Sequence, residues 1–121
     1  MEKTILTVDD SSTVRLILSS ALKEAGYKVI EAKDGQDAIE QLDKGEINML
    51  ITDLNMPRID GIDLIRHVRR SSASRFMPII MLTTEADDKK KQEGKAAGAS
   101  GWIVKPFKAE QLLNIVKMVM S

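Results

Sequence analysis

The chain has 121 residues, room for one domain and one hydrophobic core, and its eighteen basic residues balance eighteen acidic ones, so the overall field attracts neither nucleic acid nor an anionic membrane. The absence of cysteine excludes disulfides, thiolate zinc sites and cysteine nucleophiles, and fits a reducing compartment. No apolar run approaches the ~20 residues of a membrane span, and the first, Ile5 to Val8, is too short for a signal peptide, so a soluble cytoplasmic protein is expected.

Ile5 to Val8 reads as a first strand, with Asp9-Asp10 directly behind it. A helix follows: Val14, Ile17, Leu18, Ala21 and Leu22 fall on one apolar stripe, Ser11 or Ser12 stands where a cap is needed, and Gly26 ends it. Lys28 to Ala32 reads as the second strand and Gln36 to Leu42 as the second helix, carrying Ala38, Ile39 and Leu42 and followed by Gly45. The third strand, Met49 to Thr52, runs into Asp53. The third helix, from about Ile62 to Arg70, presents Ile62, Ile65 and Val68, with Asp60 before it and arginines in its last turn, as the helix dipole favours.

Pro78 to Leu82 reads as the fourth strand, followed by Thr83. From Asp87 to Lys95 the next helical segment lacks any large apolar side chain, and Gly94 costs about 1 kcal/mol against alanine inside a helix. Only Ala86, Ala96, Ala97 and Ala99 remain for packing, so this helix is expected to be weakly held and mobile. The competing expectation is a solvated helix held by charge pairs such as Asp87 with Lys91. Trp102 to Val104 forms the last strand, ahead of Lys105-Pro106, and Ala109 to Met120 the last helix, with Ala109, Leu112, Leu113, Val116 and Met120 on one face.

Strands alternating with helices call for an α/β fold, a doubly wound parallel sheet with helices on both faces, because each right-handed crossover returns over the sheet. Met49-Leu50-Ile51 and Ile79-Ile80-Met81-Leu82 are continuous rather than alternating, as strands covered on both sides require. No repeat, low-complexity tract or proline-rich linker interrupts residues 1–121, so one domain is expected.

Parallel strands bring the residues that follow them to one edge, where open α/β sheets bind ligands. Asp9, Asp10, Asp53, Thr83 and Lys105 should therefore meet. Each has an ordinary explanation alone: a helix cap for Asp9-Asp10 ahead of Ser11-Ser12, a strand-ending turn for Asp53 ahead of Met56-Pro57, a cap for Thr83-Thr84 ahead of Glu85, a surface turn for Lys105-Pro106. Together they are harder to explain so, since a cap needs no lysine behind a different strand. Two unit charges about 4 Å apart repel by roughly 4 kcal/mol at an effective dielectric of 20, a strain that a divalent cation relieves. Oxygen-only ligands, with His67 on an unrelated helix and read as a surface residue, favour magnesium or manganese over zinc. A carboxylate beside magnesium, with a lysine and a hydroxyl for the remaining oxygens, is equipment for accepting a phosphoryl group on aspartate.

Through Val8-Asp9-Asp10, Asp53-Leu54-Asn55-Met56-Pro57, Asp60-Gly61, Leu82-Thr83, Gly98-Ala99 and Lys105-Pro106-Phe107, the chain resembles the receiver domain of two-component response regulators, in particular the stand-alone chemotaxis type. The resemblance runs from Ile5 to near the C-terminus. It implies the flavodoxin-like five-stranded fold of alternating strands and helices, with strand order 2-1-3-4-5. It also implies that Asp53 accepts a phosphoryl group from a phosphohistidine on a sensor histidine kinase. Asp10, Asp53 and the backbone carbonyl of Asn55 would hold Mg2+, with Asp9 supporting it through water. Thr83 would bond one phosphoryl oxygen and Lys105 pair with another, and the Lys105-Pro106 peptide would be cis. Thr83 drawn inward would open space for the side chain at position 102 to turn. That would reshape a face made of the fourth helix, last strand and last helix for an unidentified protein target. Asn55 and Glu85 would tune the lifetime of the modified state.

The resemblance further implies a monomeric phosphoacceptor that catalyses only its own phosphorylation and dephosphorylation. Two positions depart from the family pattern. Trp102 stands where tyrosine, phenylalanine or histidine is usual, and Lys91 and Gln92 occupy a stretch of the fourth helix that is often apolar. Two other readings compete: a small haloacid-dehalogenase-like phosphatase, whose motif wants a second acid where Asn55 stands, and a receiver module that works without phosphate or is excised from a longer protein.

Overall fold

The computed structural model describes residues 2–84 and 88–120. The apolar runs become five strands, β1 (Thr4–Val8), β2 (Lys28–Ala32), β3 (Met49–Asp53), β4 (Ile79–Thr83) and β5 (Gly101–Val104). They alternate with α1 (Ser12–Glu24), α2 (Gly35–Asp43), α3 (Gly61–Arg70), α4 (Asp88–Ala97) and α5 (Ala109–Met120). All pairings are parallel, in the order β2-β1-β3-β4-β5. The chain lays β2 on one side of β1, then returns to set β3 on the other, so the winding reverses between β1 and β3. A crevice opens at such a point beyond the strands' carboxyl ends.

Alternate strand residues feed two cores. Leu6, Val8, Leu50 and Met81 pack with Ala38 of α2 and with Ile65 and Val68 of α3. Ile5, Ile51, Ile80 and Ile103 pack on the other face with Leu18 and Leu22 of α1 and with Leu112 and Val116 of α5. Each fully buried aliphatic side chain contributes about 1.5–3 kcal/mol. The helix starts are capped as their sequences suggest: Ser11 Oγ accepts from the Val14 N–H at 3.3 Å and Asp60 Oδ1 from the Asp63 N–H at 2.9 Å. Gly26, with φ 97°, takes the left-handed turn past the end of α1. Among the described residues no helix is long and apolar enough to cross a membrane.

Three packing details differ from the sequence expectation. On α1, Ile17 is half exposed, while the polar Ser19 is buried and donates to Glu31 Oε2 at 2.9 Å. The helix is turned toward the polar edge strand β2, where Glu31 also pairs with Arg15 at 3.4 Å. On α5, Ala109 is exposed and the buried positions are Leu112 and Val116. On α4, Gly94 is no defect. It is the helix's one buried residue among those described, and a Cβ there would run into the Met81 sulfur, so glycine lets the helix backbone close on β4. Ala97 and Ala99 pack against the core as expected, Ala96 is exposed, and Ala86 and Asp87, with its proposed pairing to Lys91, lie outside the described residues.

The far end of α4 is tied by Arg69 of α3. Its guanidinium donates to the Gly98 carbonyl at 3.0 and 2.8 Å, to Met77 O at 2.6 Å and to Arg75 O at 3.0 Å. Burial pushes its pKa below the ordinary arginine value. Arg69→Met keeps the aliphatic stem and strands those carbonyls. The expected result is a loss of about 2–3 kcal/mol, read as a lower urea midpoint at unchanged m-value.

Candidate functional site

The register sets Val8 beside Thr52, Asp53 beside Leu82, and Thr83 beside Val104. The residues after β1, at the ends of β3 and β4, and after β5 therefore share one sheet edge. Carboxylate oxygens of Asp9, Asp10 and Asp53 all lie within 4.8 Å of one another. Asp9 and Asp53 are buried and Asp10 is exposed. Lys105 enters between the buried pair, with Nζ 3.1 Å from Asp9 Oδ2 and 3.3 Å from Asp53 Oδ1, and the Lys105-Pro106 peptide is cis.

The two buried carboxylates are held in different ways. Asp9 is anchored at both oxygens, Oδ1 accepting from the Ser11 N–H at 2.8 Å and Oδ2 from Lys105. Its backbone carbonyl accepts from the Arg15 guanidinium, which fixes the turn from β1 into α1. Asp53 Oδ1 accepts from the Leu54 N–H at 2.9 Å. Burial, then the neighbouring Asp9 charge, holds the Asp53 pKa above its ordinary value, against the opposing pull of Lys105 and of the Asn55 backbone N–H. Burial alone would lower Lys105, but Asp53 and Asp9 outweigh it and keep its pKa raised. The cluster gathers three carboxylates around one ammonium.

Thr83 completes the edge. Its hydroxyl is buried and, among the described residues, has no hydrogen-bond partner, an uncommon state for a buried donor. Asn55 Oδ1 accepts from Lys90 Nζ of α4 at 2.6 Å, a contact with no sequence signal, since Lys90 is one of several lysines on a polar helix. Arg15 was equally silent in the sequence. Trp102 is 39% exposed and lies under two ammonium groups, Lys91 at 4.8 Å and Lys95 at 4.7 Å from the ring centroid. His67 is half-buried on α3, away from the cluster, and Glu85 lies outside the described residues. A hollow of about 390 Å3 lined by Asp34, Asp37, Glu40 and Arg58 lies elsewhere, and none of the cluster residues lines it.

The donor set fits a hard divalent cation: three carboxylates, no thiolate, and a buried carboxylate whose raised pKa a cation would relieve. The orphaned Thr83 hydroxyl and the Lys105 ammonium fit additional anionic oxygens.

Comparison with known proteins gives the same direction. The family model for the response regulator receiver domain matches residues 5–117. The chain is 40% identical to the chemotaxis protein CheY of Pseudomonas aeruginosa over 116 residues, covering 95% of this chain and 94% of that protein. The solved structure of the chemotaxis response regulator CheY4 of Vibrio cholerae superposes with a TM-score of 0.93 at 44% identity, over 98% of this chain and 99% of that one. The receiver domain of a sensor histidine kinase from Pseudomonas aeruginosa, solved with a magnesium ion coordinated in its active-site cleft, is 27% identical, with a TM-score of 0.91 and coverage of 99% and 98%.

Proposed function

This chain belongs to the response regulator receiver domain family and is a CheY-like response regulator; from that premise we propose that Asp53 is its phosphoacceptor and that residues 1–121 work as one phosphorylation-driven switch. It is a signalling protein rather than a classical enzyme. The observation that carries the proposal is the junction of Asp53 with Asp9, Asp10 and Lys105 in one crevice. The phosphatase alternative is not favoured, since Asn55 stands where that chemistry wants a second acid.

In this reading Asp10, Asp53 and the Asn55 carbonyl hold Mg2+, or Mn2+, with Asp9 acting through water. When bound, the ion supplies charge neutralisation for the incoming phosphoryl oxygens. The Asp53 carboxylate, oriented by the Leu54 N–H, is the nucleophile, and a phosphohistidine of a sensor histidine kinase is the donor. Phosphorylation removes the negative charge that Lys105 now faces on Asp53 Oδ1 and returns it on phosphoryl oxygens, so the ammonium follows them. The unpartnered Thr83 hydroxyl has the most to gain from a new acceptor, which supports its role as the group drawn inward.

The output face in this reading comprises α4, β5 and α5. A groove of about 410 Å3 lined by Trp102, Val104, Pro106, Gln111 and Ile115 supports a downstream protein partner there. Trp102 is the only tryptophan and carries both lysine ammonium groups, so phosphorylation that repacks α4 should alter its emission. Unchanged fluorescence in a fully phosphorylated sample would remove Trp102 from the switch. The acceptor assignment is tested by incubating the protein with Mg2+ and acetyl phosphate and reading intact mass. A gain of one phosphoryl group is expected, and turnover of phosphomonoesters without it would restore the phosphatase reading.

A further inference from the structure

Resting on the reading of Asp53 as phosphoacceptor, we propose that Lys90 is a second cation of the phosphoryl site, one that leaves Asn55 to bind the anionic phosphodonor and then the phosphoryl group on Asp53. The lysine stands in the first turn of α4, yet its Nζ reaches 2.6 Å from Asn55 Oδ1, across 35 residues of sequence. Asn55 follows Asp53 by two positions and its backbone N–H bonds the Asp53 carboxylate, so the ammonium sits at the rim of the acidic crevice. An ammonium only donates, which fixes the carboxamide oxygen as its acceptor.

A neutral amide oxygen is a weaker acceptor than a phosphoryl oxygen, and lysine binds phosphate as a mobile point charge on a flexible stem. The charge balance points the same way. Lys105 together with a divalent cation neutralises Asp9, Asp10 and Asp53, which leaves the donor's own negative charge without a counter-charge. Two other lysines of α4, Lys91 and Lys95, are instead turned to the Trp102 ring on β5. Lys90 is the one whose ammonium is already beside the site.

With acetyl phosphate as donor, a carboxylate oxygen of Asp53 forms the new bond to phosphorus while the bond from phosphorus to the acetyl oxygen breaks. Acetate leaves with that electron pair, and no proton is transferred. Lys90 would hold donor oxygens through this step, so its contribution is electrostatic and belongs to donor capture.

The test compares the wild type with Lys90→Met and Lys90→Arg in the full chain, with saturating Mg2+ and a series of sub-saturating acetyl phosphate concentrations, by intact mass against time. Lys90→Met is expected to lower the second-order rate constant about 5–10-fold at low ionic strength, below the full value of a charged hydrogen bond because the group is partly solvated. Lys90→Arg should restore it to within about twofold, and added salt should narrow the gap between wild type and Lys90→Met. Mg2+ affinity of the unphosphorylated protein, read by calorimetry, should be no weaker in Lys90→Met than in the wild type, so that the slower rate is not a loss of metal. A Lys90→Met rate equal to the wild type, or Lys90→Arg as slow as Lys90→Met, overturns the proposal. Failure of the wild type itself to take up a phosphoryl group would instead strike the acceptor assignment.

Discussion

Asp53→Asn is expected to abolish uptake of the phosphoryl group from acetyl phosphate and, without Mg2+, to give a protein more stable than the wild type at pH above the folded pKa of Asp53. The first effect would follow from removing the proposed nucleophile. The second follows from the electrostatics of the apo site. Burial, reinforced by Asp9, raises the folded pKa of Asp53 above its ordinary 3.8. A carboxyl group raised in this way contributes stability that is full below the unfolded pKa and is lost as pH rises through the folded value. Above that folded value both states are ionised and the whole penalty is present.

Replacing the carboxylate with an isosteric amide should therefore stabilise the apo protein by about 1–2 kcal/mol, on the order of 4–8 °C in Tm. The advantage should shrink as pH falls through the folded pKa of Asp53, where the wild-type group becomes neutral as well. Mg2+ should raise the wild-type midpoint at neutral pH by occupying the native state alone, and raise that of Asp53→Asn much less. Thermal melts of both proteins across pH, with and without Mg2+, measure all of these. A variant that keeps the phosphoryl mass gain would move the acceptor to another residue, and a variant less stable than the wild type without metal would contradict the strain argument.

Gly61→Ala should unfold the neighbourhood of the site without touching a functional group. A Cβ at Gly61 would collide with the Asp53 carbonyl oxygen and would stand 2.7 Å from Leu54 Cα. Both are backbone atoms at the end of β3, so no side chain can turn aside to make room. The Gly61 N–H also donates to Leu54 O at 3.0 Å, which locks the start of α3 against the acceptor strand. Overpacking against backbone should lower stability by about 3 kcal/mol, read from the denaturant midpoint, and slow phosphorylation of whatever remains folded. A change under about 0.5 kcal/mol would mean that the strand end yields more easily than its contacts imply.

The strand runs and the residues behind them were legible because both follow linear rules. Continuous apolar runs mark strands buried on two faces, and parallel pairing carries whatever follows them to one edge. That reasoning reaches Asp9, Asp10, Asp53, Thr83 and Lys105 from spacing alone. Assigning the chemistry as phosphoryl acceptance on Asp53 leaned on the family resemblance and the later match over residues 5–117. Helix faces were less legible where the partner surface is polar. Ile17, expected on the apolar stripe, is half exposed, and Ser19 is buried because β2 presents Glu31 to α1. Gly94 looked like a weakness because its helix lacks large apolar side chains, whereas the missing Cβ is what admits Met81. Lys90 and Arg15 were invisible, since a basic residue on a polar stretch has no pattern that singles it out. Their partners are Asn55 and the Asp9 carbonyl, groups that only the folded chain brings within reach.

The anchoring of α4 is unequal along its length. Arg69 rivets the Gly98 end to α3 and Gly94 is wedged on Met81, whereas among the described residues the opening turn is held by flexible lysine side chains, Lys90 on Asn55 and Lys91 on Trp102. A rod fastened at one tip rotates rather than slides. On the proposed switch, rearrangement of this helix would be a change of pitch about its C-terminal pivot, with displacement growing toward Asp88. A protein docked across α4 would discriminate the two states by tilt, and would do so best at the end farthest from the rivet.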